Sequence, residues 1–214
     1  MKISLVTLLV ILANVLISYK GFNDQFFFEK YKFNIGAIQR GEKFRFFSSA
    51  FLHVDSLHLI FNMLTLYFFA DIVIHHVGTI NFLAIYIASL LVGNFLSYYF
   101  HQNQAYYSAV GASGAVVGIL YSAILFYPNM MLGIFFIIPM PAWLFGIAYL
   151  LFSMYGMKKQ LGNVGHDAHF GGAIAGYALT LLFAPSLIQK NLGIVILMLV
   201  PIVILFVLIR LKKI

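Results

Sequence analysis

The chain has 214 residues, of which 63% are hydrophobic and only 9% are Asp, Glu, Lys or Arg, against roughly a quarter in soluble domains. With a mean hydropathy of +0.97 it lacks the charge to cover a water-exposed surface, and the absence of cysteine excludes disulfide frameworks and thiolate metal sites. The net charge of +7 does not point to nucleic acid: Lys and Arg sit in loops and at helix ends, where they reach lipid headgroups, and form no basic face with interleaved aromatics.

Apolar windows near 3–19, 54–76, 80–100, 112–127, 131–154, 167–184 and 192–210 each read as a helix. A helix of about 18–20 apolar residues spans the ~30 Å hydrocarbon core. The short alternating segments of a membrane β-barrel are missing. Gly78, Pro128, Gly156 with Lys158 and Lys159, and Pro185 punctuate the joins. The first window follows Lys2 without a small-residue cleavage site, so an anchor is expected rather than a removed signal. Residues 20–52 hold six of the thirteen basic residues and three acids, mixed with Phe26, Phe27, Phe28, Phe44, Phe46, Phe47 and Phe51. Such a mixture predicts a structured loop at the membrane interface. The expectation is an all-α polytopic membrane protein: a six-helix membrane domain over 1–186 containing the 20–52 loop, and an additional C-terminal transmembrane helix over 187–214. That last helix carries no buried polar group and is expected at the periphery.

Polar side chains inside spans cost at least ~2.5 kcal/mol when charged, so each asks for a reason. In the second window His58 and Asn62 are four apart and share one helix face; a hydrogen bond to a neighbouring span would explain them alone. The fourth window opens GASGAVVG, with Ser113 between Gly111 and Gly114. Close helix packing accounts for such glycines, and so does a sharp approach to a helix start whose N–H groups favour a developing anion. The sixth window opens GHDAHFGGAIAG, where His169 precedes the small-residue stripe of Gly172 and Gly176. His166, Asp167 and His169 raise a metal site as an alternative, but their spacing at a helix mouth does not supply the three ligands a catalytic zinc needs, and no metal or cofactor is expected.

Windows two, four and six all start on the side of the long loop. Ser113, His169 and the His58–Asn62 pair therefore fall at similar depth on one side of the membrane. A nucleophile, a base and donors for an oxyanion are what a serine protease needs.

Here the chain resembles the rhomboid intramembrane serine proteases, over about residues 3–184. The resemblance rests on FRFFSSAFLH before the second helix, HLIFN within it, GASG at the fourth and AHFGGAIAG at the sixth. It implies a rhomboid-like six-helix bundle in which Ser113 is the nucleophile and His169 the general base. His58 and Asn62, with the Ser113 N–H, are then the oxyanion donors. It also implies that Gly111 and Gly114 shape the serine's turn and that Gly172 and Gly176 bring helix six to helix four. Arg45 matches the arginine of the family's Trp-Arg loop motif, with Phe44 in place of the tryptophan. Some bacterial members carry a tyrosine four residues after the serine that stacks on the base; here that position is Val117, leaving open what orients His169. Asp167 is expected too near the surface to do so. Pro139 and Pro141 mark helix five as a kinked span or a mobile side gate.

The implied activity is hydrolysis of peptide bonds in or near transmembrane segments of protein substrates, in a lipid bilayer, with the bacterial plasma membrane as the expected location. The alternatives are a transporter or channel lined by His58, Asn62 and His169, or an inactive relative that binds transmembrane segments. Eleven of the thirteen Lys and Arg residues share the long-loop side, which the positive-inside rule would make cytoplasmic. The family's usual topology puts that loop outside, and the family orientation is the one expected.

Overall fold

In a computed structural model, residues 3–134, 138–159, 165–211 and 213 are described. The elements run α1 (Leu5–Asn23), α2 (Gln25–Tyr31), β1 (Phe33–Asn34), α3 (Ile35–Gln39), α4 (Arg45–Ser48), a 3-10 turn (Ser49–Phe51), α5 (Ser56–Val77), α6 (Thr79–His101) and β2 (Ser108–Ala109). They continue with α7 (Ser113–Phe126), β3 (Met131–Ile134), β4 (Ile138–Pro141), α8 (Ala142–Lys159), α9 (His166–Phe183), α10 (Ser186–Lys190) and α11 (Leu192–Arg210). The architecture is all-α and polytopic. By length and hydropathy α1, α5, α6 and α11 each suffice to cross a membrane. Helices α8 and α9 are 18 residues long but carry Lys158 and Lys159, and His166, Asp167 and His169.

The centre is α7, whose residues 114–125 are all buried. A helix that is apolar all round belongs in the interior, and α5, α6 and α9 enclose this one. Helix α9 reaches it through glycines. A Cβ on Gly172 would collide with the Gly114 carbonyl, and one on Gly176 with the Gly118 carbonyl. Gly93 of α6 does the same for the Ala168 carbonyl, where a Cβ would stand 2.6 Å away. Between apolar helices in lipid, this close backbone approach supplies the dispersion contact that burial of side chains supplies in water. Hydrogen bonds reinforce it: Thr180 Oγ1 donates to Ser122 Oγ at 2.7 Å.

Helix α1 is tied to its neighbours by polar contacts. The Asp71 carboxylate of α5 accepts from the Ser4 N–H at 3.0 Å and from Thr7 Oγ1 at 2.8 Å, satisfying donors at the start of α1.

Two expectations need correction. The helix expected over 131–154 starts only at Ala142; residues 131–134 and 138–141 pair as an antiparallel hairpin. Proline lacks an N–H and pushes its predecessor out of the helical region, so Pro139 and Pro141 forbid a helix there. Two residues apart, they put both missing donors on one strand edge and leave the pairing intact. These prolines therefore end a hairpin and do not kink a span. Asp167, expected near the surface, is 3% exposed. It lies 3.3 Å from His101 Nε2 at the end of α6, a partner that lets a carboxylate be buried.

Helix α11 packs on α8, burying Val195, Met198, Pro201, Ile202 and Leu205, and Tyr177 Oη of α9 donates to its Val195 carbonyl at 2.9 Å.

Gly172→Ala should lower unfolding stability in detergent by about 1–3 kcal/mol or more, because the added methyl group must push the two backbones apart. Gly193→Ala, where a Cβ meets nothing within 4 Å, should leave stability unchanged or slightly raised. Thermal unfolding in one detergent compares the two; equal midpoints would deny the close α7–α9 contact its weight.

Candidate active site

The site forms at the start of α7. Its 14 residues rise about 21 Å, short of a ~30 Å hydrocarbon core. Its far end lies beside that of α5, where the His76 ring stacks on Phe126 at 4.2 Å.

Ser113 is the first helical residue, after Ala112, which offers no side-chain cap. Val116 N–H is the first to pair within the helix, to Ala112 O at 2.9 Å. The N–H groups of Ser113, Gly114 and Ala115 thus have no intrahelical acceptor, and the positive end of the helix dipole points out of the same place. Gly111 makes the turn into the helix with φ +133, a conformation L side chains rarely adopt. A Cβ there would stand 2.7 Å from His58 Cε1 and 3.6 Å from Ser113 Oγ. The bare glycine is the space that His58 and Ser113 share.

His169 Nε2 lies 2.7 Å from Ser113 Oγ, a hydrogen-bond contact between residues 56 positions apart. His58 Nδ1 is buried and has no hydrogen-bond partner among the described residues. Asn62, one turn further along α5 and buried, donates from its side-chain nitrogen to the His58 carbonyl at 3.0 Å. One amide hydrogen is left over. The structure thus brings Ser113, His169, Gly111 and His58 together, with Asn62 behind His58. Gly114, Gly172 and Gly176 set the spacing of α7 and α9.

Arg45 lies in the loop and not at the dyad. Its Nε and one terminal nitrogen meet Glu42 Oε2 at 2.8 and 2.7 Å, and the other terminal nitrogen donates to the carbonyls of Glu29 and Lys32 at 2.9 and 2.7 Å. This buried guanidinium gathers α2, the strand that follows and α4 around itself. The loop then reaches the site through the backbone: the Gly111 N–H donates to Ser49 O at 3.1 Å. Strand β1 pairs with β2 just before Gly111, which places loop and site on the same side.

Two residues near the site receive no role from the sequence alone, although His53 closes the FRFFSSAFLH stretch. His53 is fully buried between α1 and the serine turn. Ser18 Oγ gives its proton to Phe51 O at 2.9 Å, so it accepts from His53 Nδ1 at 2.8 Å; Nε2 is then bare and accepts the Ala112 N–H at 3.4 Å. The second is Tyr149 of α8, whose hydroxyl lies 2.8 Å from His169 Nδ1, with the two rings near parallel at 5.8 Å and 29°. Val117 offers His169 no such ring or hydroxyl. No motif spacing links Tyr149 to His169; the sole signal is an aromatic hydroxyl inside an apolar span.

A family model, the Rhomboid domain, matches residues 40–186, more than half of the chain. The chain belongs to the rhomboid family. It is an integral, multi-pass membrane protein with the family's all-α fold. Relatives include RHOMBOID-like protein 12, mitochondrial, of Arabidopsis thaliana, 30% identical over 75% of this chain and 52% of the relative. Rhomboid protein 1, mitochondrial, of Saccharomyces cerevisiae is 29% identical over 63% and 40%. Presenilin-associated rhomboid-like protein, mitochondrial, of Homo sapiens is 30% identical over 67% and 38%. The matched stretch spans about half or less of the length of these relatives. Their names place those proteins in mitochondria and lend no support to the bacterial plasma membrane expected from sequence.

His53 gives this rhomboid a pH dependence. Burial first, and then the neighbouring His58, hold its pKa down from 6.5 to about 3, against the opposing pull of Asp55. Between those values the unfolded chain binds one proton more than the folded one. Stability should be full above about pH 6.5 and fall as the pH drops, by up to about 1.4 kcal/mol per unit. Unfolding midpoints at pH 7, 6 and 5 should decline in the wild type and decline less steeply in His53→Phe. An equal slope in both would remove the assignment to His53.

Proposed function

We propose that this rhomboid is an intramembrane serine endopeptidase that hydrolyses peptide bonds in or near transmembrane segments of other membrane proteins. The observation that carries the reading is the 2.7 Å contact of Ser113 Oγ with His169 Nε2 at an uncapped helix start. A transport path has no use for a serine held that way, and an inactive binder has no need of it.

Ser113 Oγ attacks the scissile carbonyl carbon while its proton passes to His169 Nε2. The carbonyl oxygen becomes an oxyanion in front of the open N–H groups at the start of α7, with His58 and Asn62 as side-chain donors. Donors already fixed in a site of low dielectric stabilise that charge strongly. The tetrahedral intermediate collapses as His169 hands the proton to the leaving amine. Water then attacks the acyl-serine, His169 takes one of its protons, and the acid product leaves with Ser113 regenerated. On this reading the substrate is a transmembrane segment, and its helix must unwind locally to expose a carbonyl. The chemistry calls for no cofactor or metal. The setting is a lipid bilayer, with no particular organelle implied.

In purified, reconstituted protein, Ser113→Ala and His169→Ala should each lower cleavage of a generic single-span substrate by at least about 10³-fold, with unfolding midpoints close to wild type. Persisting cleavage in either variant contradicts the assignment. Asn62→Ala should slow kcat by roughly 10- to 1000-fold as a lost oxyanion donor; a rate within about twofold of wild type makes Asn62 a structural residue only.

A further inference from the structure

We propose that Tyr149 is the positioning residue of the dyad: its phenol oxygen accepts the Nδ1–H of His169 and so fixes the one imidazole tautomer that can take the proton of Ser113. This rests on the reading of Ser113 and His169 as the catalytic pair.

The role of His169 as base sets the direction of each bond. To accept from Ser113 Oγ, at 2.7 Å, Nε2 must be bare. A neutral imidazole has one ring proton, so it must sit on Nδ1, and the group facing Nδ1 must be an acceptor. That group is the Tyr149 hydroxyl at 2.8 Å. The near-parallel rings, 29° apart, also limit rotation of the imidazole about its Cβ–Cγ bond.

Other candidates fail on geometry. Asp167 lies two residues before His169 on α9, and residues two apart do not share a helix face; its carboxylate turns to His101 at 3.3 Å. Val117, one turn beyond Ser113, is buried and has no polar atom. His166 meets the His169 ring edge-to-face at 6.2 Å between centroids, too far for a hydrogen bond to a ring nitrogen.

Tyr149 is itself held from both sides. One turn earlier on α8, the Gly146 carbonyl accepts a hydrogen bond from Tyr121 Oη of α7. A Cβ at Gly146 would stand 2.9 Å from Met198 Cε of α11, so that helix presses α8 inward at the same level. The orientation of His169 therefore depends on α8 being docked between α7 and α11.

Tyr149→Phe removes one oxygen and keeps the ring. For a single-span substrate, kcat should fall about 10- to 100-fold, as an incorrectly held base predicts, with KM within about twofold and an unfolding midpoint near that of wild type. In protein labelled with ¹⁵N-histidine, the His169 resonances, identified by their loss in His169→Ala, should report the Nδ1–H tautomer in wild type and a loss of that preference in Tyr149→Phe. A wild-type His169 in the Nε2–H tautomer overturns the proposal whether or not the variant folds. So does a Tyr149→Phe enzyme with wild-type kcat and an unchanged tautomer, measured beside an inactive Ser113→Ala. Cleavage by Ser113→Ala would overturn the reading of the dyad itself and this proposal with it.

Discussion

The contact between the backbones of α7 and α9 governs the rest of the structure. Gly114 and Gly118 face Gly172 and Gly176, and at three of these positions even a methyl group would strike a carbonyl of the other helix. Ser113 immediately precedes the first glycine of α7, and His169 lies one turn before the first glycine of this stripe on α9. The 2.7 Å between their side chains follows from how near the helices come. A hydrogen bond tolerates a few tenths of an ångström, and a Cβ on Gly172 or Gly176 would take more. The apolar spans contribute depth and enclosure; the glycines contribute distance.

A second frame fixes the turn that presents the serine. Arg45 condenses the loop by pairing with Glu42 and drawing in two carbonyls. The loop then binds the Gly111 N–H through Ser49, while His53 bridges α1 to Ala112. Gly111 can hold its positive φ because the turn is pinned at its own N–H and at that of Ala112. The result is a helix start with unused N–H groups, surrounded by protein and not by lipid, the one setting in which irregular backbone survives at membrane depth.

Much of this is legible in the residues. Hydropathy marks seven apolar windows, and their order predicts that His58, Ser113 and His169 share one side; the structure does bring those three residues together. What stays hidden has physical causes. The 131–154 window averages to an apolar helix because hydropathy does not register the missing N–H groups of Pro139 and Pro141. Asp167 reads as superficial because its partner, His101, comes from a different helix 66 positions earlier. Tyr149 reads as one more aromatic in a span; its meaning depends on α8 lying against α9, and no local pattern records which helices touch. His53 closes the FRFFSSAFLH stretch, but its role stays unread because it runs through backbone and a serine of α1.

The central claim is that Ser113 is a nucleophile aimed at the donors around it. The most direct measurement is an experimental structure of the protein after reaction with a small fluorophosphonate. The expected result is a single adduct on Ser113 Oγ, with a phosphoryl oxygen in hydrogen-bond reach of the Ser113 N–H and of the His58 or Asn62 side chain. An adduct on another residue, no reaction at all, or a phosphoryl oxygen turned away from those donors would contradict it.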